Sequence, residues 1–286
     1  MKTSRSWTVN LINGGWGSGQ NRSGEIPLDS DGYPTSLPTG LTVLALISRD
    51  LQGHYDNGTY ILLYDGDGTM VFGQDDVKGV KRGVGRIEIY VTPTTNFNNG
   101  IMITITRTNP LNYVRNMRVI RPGFEALQNR LIFHPLFLSK VQPYSTFRFM
   151  DWGVTTSQTN KEWADRTPDT ARTFTTNGAS FETMIRLCNT LGKNMWVNVP
   201  HLASNNFTTH LAQLILSQLR PDLKVYVEYS NEVWGTLFPG GQYAQREGFN
   251  TGLSTNPTQA RFCYLGAATK NISVIFKSVF SSNPSR

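Results

Sequence analysis

Short runs that are alternating or apolar recur along the first 110 residues. Runs such as Leu41 to Ile47 and Arg86 to Val91 are separated by turn signals, among them Asn57-Gly58 and Asn99-Gly100. Short strands joined by Gly- and Asp-containing turns are typical of antiparallel sandwiches. The pattern predicts a β-sandwich domain over residues 1–110.

The periodicity changes after residue 110. Apolar residues recur at helical spacing over 180–191 and 206–219, and runs rich in strand-forming residues lie between such segments. The predicted strands cover 114–120, 146–151, 195–199 and 223–229. Strands that alternate with helices form βαβ units, and these build a parallel sheet. We therefore predict a second domain over residues 111–286.

Polar and aromatic residues follow three of these strands at their carboxyl ends. β/α barrels keep their active sites at this end of the strands. The residues that we expect to line a common site are Asp151, Trp152, His201, Asn231, Glu232 and Trp234.

The segment from Val225 to Trp234 suggests sugar chemistry. Asn231 can hold a sugar hydroxyl, and Glu232 can donate a proton to the leaving oxygen. Trp234 can stack on a sugar ring. The alternative is a surface loop that contains these residues without a function.

His201, Asp151 and Trp152 have similar alternatives. His201 is a candidate proton carrier, sugar ligand or orienting group for Glu232, or a structural histidine with satisfied hydrogen bonds. Asp151 and Trp152 belong either to the site or to the structure around it.

Period-two alternation assigns the residues of the last strand to two faces. Tyr226, Glu228 and Ser230 share one face, and extrapolation places Glu232 there as well. A carboxylate on the inward face of a barrel needs a partner. Arg148 on the neighbouring strand is the candidate, so we predict a structural ion pair between Arg148 and Glu228.

These segments resemble a known group of proteins. The segment from Val225 to Trp234 looks like the retaining glycoside hydrolases of clan A, whose fourth barrel strand ends in Asn-Glu. A bacterial cellulose-binding or glycosidase-like group, in which a β-sandwich precedes the barrel, is more closely similar. The segments that carry this resemblance are Arg148-Phe149-Met150-Asp151-Trp152, Trp163-Ala164-Asp165-Arg166, Asn198-Val199-Pro200-His201 and Glu228-Tyr229-Ser230-Asn231-Glu232-Val233-Trp234. The resemblance implies that Glu232 is the acid/base and Asn231 a ligand of a sugar hydroxyl.

The chain departs from that family in its number of βα units. About 175 residues follow the sandwich, whereas a full barrel needs about 250. The expected fold class is therefore an antiparallel β-sandwich followed by a partial TIM-type β/α barrel that stops after the fourth βα unit.

A half barrel has a consequence for catalysis. The family's nucleophile comes from strand seven, so we expect no retaining hydrolysis by this chain alone. Asp151 is the candidate for an inverting pair with Glu232. Self-association, or a partner that completes the barrel, would be the other source of a second carboxylate.

The amino-acid composition limits the classes of molecule that this protein is expected to bind. The net charge is +7, but lysine and arginine are scattered, which does not favour nucleic acid. No apolar run is long enough for a membrane span, no signal peptide is visible, and neither a metal site nor a cofactor is expected. Only 16% of residues are charged and 11% are aromatic, which is common in extracellular, carbohydrate-facing proteins.

These observations predict a glycoside-hydrolase-like protein that recognises polysaccharide, in an extracellular or surface-associated location. The alternatives are a non-catalytic structural or adhesive protein of a surface or particle, and a carbohydrate-binding module.

Overall fold

The computed structural model describes residues 6–49, 51–74, 76–96 and 100–285. The chain divides into two compact units. The first unit comprises Met1–Ile132 together with Thr170–Thr176, and the second comprises Phe133–Asp169 together with Asn177–Arg286. Asn99 of the predicted Asn99-Gly100 turn lies outside the described residues.

The described part of the first unit consists mainly of antiparallel strands. They are β1 Thr8–Leu11, β2 Leu41–Ile47, β3 Gly58–Asp65, β4 Gly68–Gly73, β5 Val77–Gly83, β6 Arg86–Val91, β7 Ile101–Thr108 and β8 Arg115–Ile120. Among the described residues they form two four-stranded sheets, in the orders β1-β2-β7-β4 and β5-β6-β3-β8.

Both sheets contribute alternate side chains to one core. Val43 and Ile103 come from one sheet, Leu62 and Ile89 from the other, and all four side chains are buried. Branched apolar residues suit such a core because they pack well on a pleated surface.

The second unit is built of helices and parallel strands. The helices are α1 Pro135–Val141, α2 Phe181–Leu191, α3 Asn205–Gln218, α4 Pro239–Asn250 and α5 Pro257–Val279. The strands are β9 Thr146–Arg148, β10 Asn194–Val199 and β11 Val225–Tyr229. They pair in parallel in the order β11-β10-β9.

Local signals in the sequence account for the bounds of α2 and α3. The Ser180 side chain accepts a hydrogen bond from Thr183 N, and Gly192 ends α2 in the left-handed conformation. The Ser204 side chain caps α3 in the same way, accepting from Phe207 N. Each cap satisfies a backbone donor that the first helical turn leaves without a partner.

One face of the parallel sheet packs into the core of the second unit. Met195, Val197 and Val199 of β10 are buried in a cluster with Phe207 and Leu211 of α3. The helices therefore cover one side of the sheet.

The predicted fold class, a sandwich followed by half of a β/α barrel, is wrong. The first of the four strands assigned to the barrel, β8, pairs antiparallel with β3 through Ile61↔Ile120 and Leu62↔Val119. The structure shows a mixed α/β chain with antiparallel sheets and a three-stranded parallel sheet, and it does not show a half barrel.

Strand pairing explains the error. A run of apolar and polar residues predicts a strand, but the strand's neighbour depends on contacts distant in sequence. The division predicted near residue 110 lies before β8, whereas the first unit continues to Ile132.

Candidate functional site

A row of three large side chains crosses the face of the parallel sheet opposite its buried core. Trp196 of β10 pairs in register with Arg148 of β9 and with Tyr226 of β11. Trp196 is 36% exposed, Tyr226 is 44% exposed and Arg148 is also exposed. We call Arg148, Trp196 and Tyr226 the aromatic row.

The aromatic row is internally packed. Arg148 Cζ lies 5.4 Å from the centroid of the Trp196 ring, close enough for a cation–π contact. The centroids of Trp196 and Tyr226 lie 6.1 Å apart, and their planes are inclined by 42°.

Glu228, which lies two residues beyond Tyr226 on β11, fixes this arrangement. Its carboxylate accepts hydrogen bonds from Arg148 Nε at 2.9 Å and Arg148 Nη2 at 2.8 Å. Trp196 Nε1 donates to Glu228 Oε2 at 2.9 Å, and Asn198 Nδ2 donates to the same oxygen at 2.8 Å. Arg148 and Glu228 thus form an ion pair, as the sequence led us to expect. The pair is half-buried rather than deep inside a barrel.

Asn231 extends the network to the end of β11. Its side chain is 3% exposed, and its Oδ1 accepts from Arg148 Nη2 at 2.8 Å. Asn231 Nδ2 donates to Thr156 Oγ1 at 3.4 Å. Protein groups therefore engage both ends of the Asn231 amide.

The backbone on both sides of Asn231 is left-handed. Ser230 has φ 53° and Glu232 has φ 51°, a region that non-glycine residues rarely adopt. Period-two alternation ends at such residues, so the extrapolation from Glu228 to Glu232 has no basis here. Glu232 is exposed, and its carboxylate makes no hydrogen bond or ion pair with another described residue.

His201 lies after β10 in a buried setting. Its ring centroid is 5.5 Å from that of Tyr243, and its backbone oxygen accepts from Tyr229 Oη at 3.1 Å. Burial lowers the pKa of His201, and the nearby positive charge of Arg246 lowers it further. His201 Nδ1 is buried and has no hydrogen-bond partner among the described residues.

The remaining predicted residues have different surroundings. Trp152 packs in the margin of the core, with its ring centroid 6.1 Å from Phe137 and 5.6 Å from Phe149. Trp234 is 64% exposed. Asp151 is exposed, and its carboxylate has no hydrogen-bond partner in the described chain.

The structure thus connects only part of the predicted site. Arg148, Glu228 and Asn231 are joined by hydrogen bonds. Among the described residues, no side-chain hydrogen bond, ion pair or ring contact joins this network to the other predicted residues, namely Asp151, Trp152, His201, Glu232 and Trp234.

Sequence reasoning missed Trp196. It places Asn198 at a strand end and Tyr226 on the face of Glu228, but gives neither residue a role. Trp196 and Asn198 occupy alternate positions of β10, which places them on one face. Recognising their proximity to Glu228 required the register Asn198↔Glu228.

Comparisons with known proteins identify no relative. No protein-family model matches the chain, and neither a curated protein nor a solved structure matches it. Among the described residues, no helix is long and apolar enough to cross a membrane, and no group of acidic, histidine or cysteine side chains could hold a metal ion.

Proposed function

We propose that this protein binds carbohydrate through the aromatic row of its parallel sheet. The observation that carries the proposal is the exposed Trp196–Tyr226 pair, flanked by a hydrogen-bonded cation and carboxylate. Aromatic rings offer apolar faces for the C–H surface of a sugar, and adjacent polar groups select its hydroxyls.

Pre-ordering of the side chains supports binding. Trp196 Nε1 is held by Glu228, and Arg148 lies over the Trp196 ring. A side chain that is already fixed loses less conformational entropy when a ligand binds. Arg148 Nη1 makes no hydrogen bond to another described residue, so its N–H groups are available to a sugar hydroxyl.

The same contacts favour binding over cleavage. Hydrolysis with retention needs two carboxyl groups about 5–5.5 Å apart. The Glu228 carboxylate already accepts four hydrogen bonds, whereas no described residue orients the exposed Glu232 carboxylate. General acid catalysis needs a positioned proton donor.

Alanine variants of the row test the proposal. We expect Trp196→Ala and Tyr226→Ala each to weaken glycan affinity about two- to tenfold. This factor corresponds to the loss of one aromatic contact that contributes ~0.5–1.5 kcal/mol to binding. The measurement is titration calorimetry against a panel of neutral and acidic polysaccharides.

Tyr144→Ala is the matched control, because Tyr144 is also exposed in the second unit but lies outside the row. The glycan affinity of the Tyr144→Ala variant should equal that of the unaltered protein. Absence of binding to every glycan, or equal binding by Trp196→Ala, would favour the structural or adhesive alternative.

Glycoside hydrolysis with Glu232 as acid/base is the second candidate. The left-handed backbone at Ser230 and Glu232 favours it, because strained residues of this kind cluster at functional sites. Turnover by the purified protein that disappears in Glu232→Gln would support it. Turnover that persists in Glu232→Gln would exclude this role.

A further inference from the structure

Strand β11 has one edge that no described strand covers. It lies at the end of the sheet order β11-β10-β9. Met195 N donates to Lys224 O, and Ser230 N donates to Val199 O. In a parallel pair, successive residues of a strand direct their backbone groups to opposite sides. Val225, Val227 and Tyr229 therefore direct their N–H and C=O groups away from β10.

An apolar groove of about 520 Å³ lies beside this edge. Val225 and Val227 line the groove from the strand. On the opposite side it is lined at helical spacing by Ile272 and Phe276 of α5 and by Phe280, the residue that follows α5. Among the described residues that line the groove, Lys277 is the only charged one.

We propose that the edge of β11 and this groove dock an extended segment of a partner polypeptide. The segment pairs with Val225 and Val227 and places alternate apolar side chains in the groove. An acidic residue of the segment lies near Lys277.

The backbone groups of β11 that have no partner within the described chain decide in favour of a polypeptide. A compact apolar ligand would fill the groove but leave these donors and acceptors without partners. An added strand satisfies both requirements, since main-chain hydrogen bonds provide affinity while pockets for alternate side chains provide specificity.

Selection from a displayed library of random octapeptides, followed by residue-resolved amide exchange, tests the inference. We expect enriched peptides to carry apolar residues at alternate positions and at least one acidic residue. At 100 times its dissociation constant, a bound peptide should slow exchange about 100-fold at the amides of Val225 and Val227. The amides of Tyr226 and Glu228 should change much less, because they already face β10.

Two N-methylated versions of one enriched peptide provide the sharpest control. In one version the methyl groups replace the N–H hydrogens that face β11, so binding should be abolished. In the other version they lie on the alternate amides, which face away from β11, so binding should be unchanged. Equal binding of both versions would overturn strand pairing.

Lys277→Glu should lower the affinity for the enriched acidic peptides at least about threefold. A loss of this size is within the ~1 kcal/mol that an exposed ion pair contributes. Lys270→Glu, an exposed change on the same helix outside the groove lining, should leave their affinity unchanged. Equal loss in both variants would overturn the assigned contact with Lys277.

Failure to enrich any peptide, or enriched peptides that leave the amides of Val225 and Val227 unprotected, would overturn the docking site. Protection of the same amides by dimerisation of the protein alone, measured by sedimentation, would replace the partner segment with a second copy.

Discussion

A single carboxylate, Glu228, organises the exposed face of the parallel sheet. It accepts hydrogen bonds from an arginine, a tryptophan and an asparagine on two other strands. Hydrogen bonds to a charged group are individually stronger than neutral ones. Loss of this charge should therefore affect three side chains at once.

We expect Glu228→Gln to lower the free energy of unfolding by about 1–3 kcal/mol, because the amide presents a donor to groups that are themselves donors. Urea unfolding measures the change, and Trp196 fluorescence should report a more mobile ring. Glu232→Gln is the matched control, since its exposed carboxylate has no described partner, and it should stay within about 0.5 kcal/mol. Equal stability of both variants would contradict the organising role of Glu228.

In the first unit, the carboxylate of Asp76 also accepts several hydrogen bonds, but unlike Glu228 it is fully buried. Burial by itself raises its pKa, but hydrogen bonds from Thr94, Tyr55 and Gly100 together hold the pKa below its usual value. The folded pKa is then lower than the unfolded value of about 3.9. The resulting stabilisation is present above that value and is lost as the pH falls through the folded pKa.

We accordingly expect the first unit to lose stability in acid, below about pH 4, as Asp76 takes up a proton. The loss of stability can be measured by amide hydrogen exchange in β6 and β7 between pH 5 and pH 2. Asp76→Asn should be less stable at pH 7 and should show a shallower decline in acid. A decline as steep as that of the unaltered protein would assign the effect to other carboxylates.

At the scale of elements, helices α4 and α5 approach each other closely at a glycine. A Cβ atom at Gly248 would lie 2.2 Å from the backbone oxygen of Ala260, so a methyl group cannot fit without a shift of the helices. Gly266 in α5 is the opposite case, since a Cβ atom there would meet no atom within 4 Å. The two glycines form a matched pair within one helical hairpin.

Gly248→Ala should destabilise the protein by about 1–3 kcal/mol through overpacking. Gly266→Ala should stabilise it by about 0.5–1 kcal/mol, because alanine loses less backbone entropy in a helix. Thermal unfolding of both variants checks the signs. A neutral Gly248→Ala would mean that α4 and α5 are not as close as the structure shows.

At the scale of the whole molecule, the net charge of +7 affects ligand binding. Scattered positive charge attracts polyanions over distances that salt shortens, to a Debye length of about 8 Å at physiological ionic strength. If the aromatic row binds glycans, charge and stacking should contribute separately.

We expect affinity for an acidic polysaccharide to fall as sodium chloride rises from about 50 to 500 mM, because screening removes the general attraction. Binding of a neutral glucan should change little over the same range, since stacking on Trp196 does not depend on charge. Titration calorimetry of both ligands measures the difference. Equal salt dependence would show that charge does not discriminate between them.

Local information in the sequence determined several elements and one contact. Ser180 and Gly192 mark the ends of α2, which was predicted over 180–191, because capping depends on residues adjacent in the chain. Alternation in the last strand placed Tyr226 and Glu228 together, and the charge of Glu228 indicated Arg148 as its partner.

The tertiary structure decided which strands are neighbours and which residues meet. Only pairing with β3 places Arg115–Ile120 in an antiparallel sheet, and only the register of β10 brings Trp196 to Arg148 and Glu228. The left-handed backbone at Ser230 likewise ends an alternation that the sequence appeared to continue. Such features depend on contacts between segments distant in the chain, whereas hydrophobic periodicity reports only the local conformation and the buried face.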